Sequence, residues 1–122
     1  MYWNRRVNSM IINKKNALKL WNETYGENAY IVKDFHGNYM CKEAYADRKF
    51  QIVINGENIE CGWNIHHMKP KSLGGKNEKD NLICTNITTN EKAGNKTTYW
   101  IDDKLYQIKL NDEKQCEIWQ LK

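Results

Sequence analysis

Residues 63–96 read WNIHHMKPKSLGGKNEKDNLICTNITTNEKAGNK, and this stretch decides the fold and the chemistry that we predict. Two adjacent histidines, His66 and His67, end an apolar segment that has the character of a strand. A loop rich in lysine, glycine and asparagine follows, then a short strand-like run opening at Asn81 and a helix-like run that carries Asn90. Two imidazoles and a carboxamide on such a frame could hold a divalent metal against a phosphodiester.

The arrangement resembles the HNH nuclease motif, the ββα-metal motif, and its H-H-x-K-P opening is similar to the nuclease domains of DNase colicins. The resemblance covers about residues 58–98 and depends on several residues at ordered spacing. It implies two antiparallel strands and a helix, with residues 68–80 as an irregular loop between the strands. The predicted fold is therefore a small single α+β domain over residues 1–122, with an HNH-like core at about 58–98.

Regular elements are also predicted outside this core. An apolar stripe that includes Ala17, Leu20 and Trp21 predicts an N-terminal helix over 14–25 that ends at Gly26. The dipeptide Asn55-Gly56 predicts a hairpin between strands at 50–54 and 58–65. The remaining predictions are a strand at 30–32, a helical turn at 42–47 and a C-terminal β-hairpin formed by 104–110 and 115–121.

The bulk composition indicates a soluble globular chain. Of its 122 residues, 40% are hydrophobic and 28% charged, and no apolar run is long enough to span a bilayer. Residues 1–12 lack the apolar run of a secretory signal, so we expect a cytoplasmic protein with no membrane partner. The first twenty residues carry five basic side chains, including Arg5 and Arg6, and no acidic one. Positive charge also collects around His66 and His67, where it would neutralise phosphate; solvation of a loop is the alternative reading.

The cysteines argue against a structural zinc ion. The chain has four of them, without a C-x-x-C pair, at Cys41, Cys61, Cys84 and Cys116. Many HNH proteins carry a zinc-binding cysteine pair just after the second strand, where this chain has Asn86 and Thr89. We therefore expect no structural zinc, hydrophobic packing in its place, and Cys61 and Cys84 as core thiols.

The resemblance implies a role for each residue of the motif. His66 takes the first metal-ligand position, and Asn90 supplies the second ligand through its carboxamide oxygen. His67 takes the position of the general base, for which imidazole with an unperturbed pKa near 6.5 is well suited. Asn81 matches the middle residue, whose amide braces the loop and so orients the base. The predicted phosphate contacts are five lysines, Lys69, Lys71, Lys76, Lys92 and Lys96.

The departures from the family bear on the metal. Most HNH proteins have an acidic residue where this chain has His66, although the colicin-like group also uses histidine. Nitrogen and amide ligands favour Mn²⁺, Co²⁺, Ni²⁺ or Zn²⁺ over Mg²⁺. Gly94 stands where the colicin group supplies a further histidine. We thus expect one divalent ion, bound weakly and completed by water and phosphate oxygens.

Two functions follow. The first is a metal-dependent DNA endonuclease of HNH type, from a phage or mobile element, that leaves 5′-phosphate and 3′-hydroxyl ends. The second is a catalytically weak or inactive HNH-like binding protein, such as a phage-encoded, anti-CRISPR-like inhibitor of another nuclease or protein complex. The presence of His67 and Asn90 favours the endonuclease. The small number of metal ligands and the missing zinc cysteines favour the binding protein.

Two further predictions concern aromatic and imidazole side chains outside the motif. His36 lies in a turn-like sequence and is assigned no function. Four tryptophans in apolar or alternating contexts are predicted to be core residues, which leaves no basis for assigning any of them to base stacking. They are Trp21, Trp63, Trp100 and Trp119.

Overall fold

The N-terminal helix lies where the sequence predicts it. In the computed structural model, which describes residues 9–122, helix α1 spans Lys14–Tyr25. Asn13 caps it, because its side-chain oxygen accepts a hydrogen bond of 2.8 Å from the backbone N–H of Asn16. The helix ends at Gly26, whose φ of 96° is readily adopted only by glycine.

The strands of the described residues form antiparallel pairs and one larger sheet. Strand β1 pairs with β2, β3 with β4 and β5 with β6, and β7, β8 and β9 form a three-stranded sheet in that order. A second helix, α2, spans Ile87–Ala93. The strands are β1 Ile31–Lys33, β2 Tyr39–Cys41, β3 Gln51–Ile54, β4 Glu57–Glu60, β5 Trp63–His67, β6 Leu82–Asn86, β7 Thr98–Ile101, β8 Lys104–Leu110 and β9 Cys116–Gln120.

The Asn55-Gly56 hairpin is confirmed, but the strand predicted over 58–65 is wrong as a single element. Asn55 and Gly56 have φ of 51° and 79°, the positive values that a two-residue hairpin turn requires. Strand β4 then ends at Glu60, and β5 begins at Trp63 in a different pairing. Between them, a Cβ atom on Gly62 would lie 2.1 Å from the carbonyl oxygen of Asp47. Gly62 therefore permits a close backbone approach that redirects the chain.

The described residues contain three short 3₁₀ turns, one before β3 and two in the loop between β5 and β6. One, at Lys42–Ala44, is the helical turn expected over 42–47, in a shorter form. Two others, Lys71–Leu73 and Lys79–Asn81, lie in the segment predicted to contain no regular structure. The loop between β5 and β6 is thus partly ordered by local hydrogen bonds.

The main core lies between α1 and the β5–β6 pair. Trp21 and Trp63 are both fully buried, with ring centroids 4.9 Å apart. Cys61 and Cys84 are also buried and are free thiols, as predicted. Burial raises the pKa of the Cys84 thiol to about 12, because the charged form would lose its hydration. The helix thus covers the back of the two strands that carry the motif.

The C-terminal hairpin is confirmed as β8–β9, with β7 added as a third strand. Its inner face carries Tyr99, Ile101 and Tyr106, which pack with Ala93 of α2 in a second core cluster. The prediction that Trp100 and Trp119 are core residues is wrong, since they are 54% and 48% exposed. Alternation explains the outcome for Trp100, because its neighbours on both sides in β7 point inward and are buried.

A buried polar network ties the β1–β2 turn to the start of α2. The Asp34 carboxylate accepts hydrogen bonds from the backbone N–H groups of His36, Asn38 and Asn86 at 3.0, 2.9 and 3.1 Å. The Asn38 amide also donates to the Thr89 hydroxyl at 2.7 Å. Asn86 and Thr89 are the two positions that the sequence resemblance compares with zinc-binding cysteines. Hydrophobic packing is therefore supplemented here by charge-assisted hydrogen bonds, which the sequence analysis did not predict.

Residues 1–8 lie outside the described part of the chain, and with them Arg5, Arg6 and most of the segment examined for a secretory signal. From residue 9 onward, no helix is long and apolar enough to cross a membrane.

Candidate functional site

Strand β5, the loop after it, strand β6 and helix α2 bring the motif residues together. In the β5–β6 pair, His66 lies opposite Ile83 and His67 opposite Leu82. Helix α2 starts directly after β6, and the Asn86 side chain caps it by accepting a hydrogen bond from the Thr88 N–H. A cleft of about 180 Å³ opens beside these elements. Its lining residues are Ile65, His66, His67, Pro70, Lys71, Asn90, Gly94 and Asn95.

Both histidines line the same cleft because the strand ends there. Neighbouring residues of a regular strand point to opposite faces, which would separate His66 from His67. His67 is the last residue of β5, and the backbone N–H of Met68 is already bonded to the carbonyl of Asn81. The chain leaves the strand after His67, so that the second imidazole can also line the cleft.

His66 is the buried histidine of the pair, with only 3% of its surface exposed. Its Nδ1 atom lies 2.6 Å from the Asn90 side-chain oxygen, while its Nε2 atom is buried without a hydrogen-bond partner in the described residues. Burial lowers the pKa of His66, and the neighbouring His67 lowers it further, although the Asn90 hydrogen bond acts in the opposite direction. Burial therefore favours the neutral form of His66.

Asn64 is a neighbour of the site that the sequence analysis missed. Its side-chain oxygen accepts a hydrogen bond of 2.6 Å from the Asn90 amide nitrogen. The Asn90 side chain thus lies between Asn64 and His66, with its nitrogen towards the first and its oxygen towards the second. Asn64 stands two residues before His66 in β5, so strand periodicity could have indicated that they share a face.

Asn77 is the second missed neighbour. Its side-chain oxygen lies 2.6 Å from Nε2 of His67. Its backbone carbonyl accepts a hydrogen bond of 2.7 Å from the N–H of Met10, which ties the loop to the segment before α1. No periodicity links residues 67 and 77, because the contact depends on how the loop folds back on the strand.

Asn81 holds that loop in shape. Its side-chain oxygen accepts a hydrogen bond of 2.7 Å from the Lys69 N–H, and its amide donates to the carbonyls of Lys69 and Lys76 at 3.0 and 3.1 Å. Gly75 packs against the backbone carbonyl of Lys69, since a Cβ atom at Gly75 would lie 1.7 Å from that carbonyl oxygen. The buried Asn81 side chain therefore fixes both ends of the turn that follows His67.

The five predicted phosphate-binding lysines are all exposed, but they are not equivalent. Lys71 lines the cleft. Lys92, on α2, donates to the Asp102 carboxylate at 3.2 Å, so its charge is partly matched by an acid. The other three, on the loop and after α2, are Lys69, Lys76 and Lys96.

His36 has more partners than a turn residue requires. Its Nδ1 atom lies 2.6 Å from the Tyr106 hydroxyl, and its Nε2 atom lies 2.7 Å from the Asp102 carboxylate. The hydrogen bonds from His36 and then from Lys92 lower the pKa of Asp102. This cluster joins the β1–β2 turn, α2 and the β7–β8 turn, and so holds the C-terminal sheet against the site.

The donor set for a metal is small. In the part of the chain that the structure describes, no three His, Cys, Asp or Glu residues group in a way that could hold a metal ion. Nδ1 of His66 and Oδ1 of Asn90, at 2.6 Å, are bonded to each other, whereas two neighbouring ligands of one ion lie about 3 Å or more apart. The remaining candidate donor is Nε2 of His66, which is buried without a hydrogen-bond partner in the described residues, and an imidazole nitrogen suits an ion of borderline softness.

Comparison with known proteins adds no relative. The chain matches no protein-family model, no curated protein and no solved structure. Function is therefore inferred from the cleft and from the motif that lines it.

Proposed function

We propose that the protein is a metal-dependent DNA endonuclease of HNH type, with β5, β6 and α2 as its ββα-metal core. The observation that supports this most is the cleft beside α2. The cleft is lined by His66, His67 and Asn90, although Asn90 lies 24 residues after His66 in the sequence. The exposed cation of Lys71 lines the same cleft. A hydrophobic core does not require two histidines and an asparagine at a cleft, whereas phosphodiester hydrolysis uses these groups.

His67 is the general base of this proposal. It is only half buried, lines the cleft, and bonds Asn77 through one ring nitrogen, so the other can take a proton from a water molecule. The resulting hydroxide attacks phosphorus, the bond to the 3′ oxygen breaks, and the products carry 5′-phosphate and 3′-hydroxyl ends. Asn81 keeps the base in position by holding the loop that follows it.

His66 is the residue that would hold the ion, through Nε2, with Asn90 orienting the ring from its opposite side. A direct bond from Asn90 to the same ion requires its amide to turn away from His66. When bound, a divalent ion would supply a Lewis acid that polarises the scissile phosphate and stabilises charge on the leaving oxygen. Lys71 binds a phosphate of the DNA backbone and so positions the strand without reading its sequence.

Plasmid nicking tests the proposal. Supercoiled DNA is incubated with the protein and Mn²⁺, Ni²⁺ or Mg²⁺, with and without EDTA. Nicked and linear products are expected with the borderline metals and are lost with EDTA or in His67→Ala. The matched control is His36→Gln, which changes a histidine bonded to Asp102 and Tyr106 outside the cleft and should retain cleavage. Absence of cleavage with every metal would refute the proposal.

An HNH-like binding protein without catalysis is the second candidate, and two observations favour it. The described residues contain no group of three metal-binding side chains of the usual kinds. Large apolar side chains are also exposed on the outer side of the C-terminal sheet, among them Trp100 and Trp119. If every metal gives no cleavage, binding of the protein to another nuclease would be the better account, with Trp100→Ala as the first variant to weaken it.

A further inference from the structure

His66 and His67 each contact an asparagine side-chain oxygen, but through different ring nitrogens. An imidazole bonded to a side-chain amide oxygen must donate the proton, because that oxygen accepts only. His66 meets such an oxygen, that of Asn90, through Nδ1. His67 meets another, that of Asn77, through Nε2. The neutral rings should therefore carry their protons on different nitrogens.

The Asn90 amide lies between Asn64 and His66 and contacts both side chains. With the Asn90 nitrogen directed at the Asn64 oxygen, at 2.6 Å, the Asn90 oxygen is left to face His66. With Asn64 oriented as in the structure, the reverse orientation of Asn90 would set two amide oxygens against each other. Nε2 of His66 is buried without a hydrogen-bond partner in the described residues, which agrees with this, because a buried N–H without a partner costs more than a buried lone pair.

We propose that Asn64, acting through Asn90, and Asn77 are positioning residues that hold His66 as the Nδ1–H tautomer and His67 as the Nε2–H tautomer. The lone pair of His66 is then on Nε2, and that of His67 is on Nδ1. In the proposed nuclease these are the atoms that face the metal and the attacking water, so the proposal rests on that function for its consequence. The tautomers themselves depend only on the hydrogen bonds described above.

Nitrogen-15 NMR of the histidine side chains tests the assignment without any catalytic step. The chain has only three histidines, so a sample labelled at histidine and kept at pH 8 with EDTA gives a simple spectrum. A protonated ring nitrogen and a bare one have well-separated shifts, which identifies each tautomer. His66 should show its proton on Nδ1 and His67 on Nε2, and either result reversed would overturn the proposal.

Substitutions separate the two contacts. Asn77→Ala should change the tautomer ratio of His67 by about two- to tenfold, the value of one hydrogen bond, and leave that of His66 unchanged. Asn64→Ala should change the tautomer ratio of His66 by a similar factor and leave that of His67 unchanged. Asn77→Asp keeps an oxygen acceptor and should restore the Nε2–H form of His67, while Asn95→Ala, in the same cleft, should alter neither ring. A tautomer of His67 that does not respond to Asn77→Ala would refute the role of Asn77.

The two claims can fail separately. If the tautomers are as stated and no metal supports cleavage, the proposed function is wrong and the positioning holds. If DNA is cleaved and the tautomers differ from those stated, the positioning is wrong and the function stands. In an active enzyme, Asn77→Ala should lower kcat about tenfold or more with DNA affinity unchanged, and Asn77→Asp should recover most of the loss.

Discussion

The Asp34 carboxylate gives a prediction about stability that can be worked out bond by bond. Asp34→Asn keeps one side-chain oxygen, which can still accept from the N–H groups of His36 and Asn38. The new amide nitrogen then faces the N–H of Asn86, so two donors meet. Asn86 is 5% exposed and cannot turn to water instead. Loss of this bond to a charged acceptor should lower the free energy of unfolding by about 2–3 kcal/mol.

Asp34→Ala should cost more, though less than three full bonds. His36 and Asn38 lie in a half-buried turn, and their N–H groups can recover part of the loss by binding water. Adding about 0.5–1 kcal/mol for each gives a total of about 3–5 kcal/mol. The exposed Asp112 supplies the matched control, since Asp112→Asn should change the free energy by less than about 0.5 kcal/mol.

Urea unfolding at pH 7 measures these differences. Circular dichroism and the fluorescence of the buried Trp21 and Trp63 should give coincident transitions, as expected of a small two-state domain. The urea concentration at the midpoint of unfolding should be highest for the wild type, lower for Asp34→Asn and lowest for Asp34→Ala. The slope of the free energy against urea concentration should be the same for all three proteins. If Asp34→Asn unfolds at the same urea concentration as the wild type, the network does not stabilise the link between the β1–β2 turn and α2.

Three further predictions concern the core thiol and the cleft. Because burial raises the pKa of Cys84 from its ordinary value of 9.0 to about 12, folding favours the neutral thiol, and that contribution to stability is full below pH 9 and is lost progressively as the pH rises from 9 towards 12. Between pH 7 and pH 10.5 the free energy of unfolding of the wild type should fall by about 2 kcal/mol more than that of Cys84→Ala. An equal fall in both proteins would contradict this. Asn90→Ala should lower metal affinity about 10–100-fold and lose activity that added metal partly restores, in contrast to His67→Ala; equal calorimetric affinity to the wild type would count against it. Lys71→Ala should weaken DNA binding for every sequence and reduce the salt slope by about one, whereas Lys49→Ala, outside the cleft, should not.

The elements that the sequence predicts well are those with local causes. Helix α1 ends at Gly26 as predicted, and that signal, a glycine with positive φ, lies directly after the last turn of the helix. The Asn55-Gly56 turn is equally local. His66 and Asn90 lie 2.6 Å apart in the structure, and this proximity also has a local cause, because a strand followed at once by a helix leaves few ways to arrange them.

What the sequence did not predict depends on contacts between distant segments. Trp100 has the alternating context of a core residue, but which side of β7 is covered is decided by α2 and Phe35 packing on the other face. The break at Gly62 arises from the approach of Asp47, fifteen positions earlier. The contact of His67 with Asn77 likewise needs the folded loop, so no pattern along the chain indicates it.

The rate of DNA cleavage by His67→Ala tests the central claim most directly. A 5′-labelled duplex is cleaved under single-turnover conditions with protein and Mn²⁺ in excess, and DNA affinity is measured in parallel in EDTA. Loss of the base should slow cleavage by about 10²–10⁴-fold while affinity and folding stay as in the wild type, because a base acts on the barrier. Cleavage by His67→Ala at the wild-type rate, or no cleavage by either protein, would contradict the assignment of this cleft as a nuclease site.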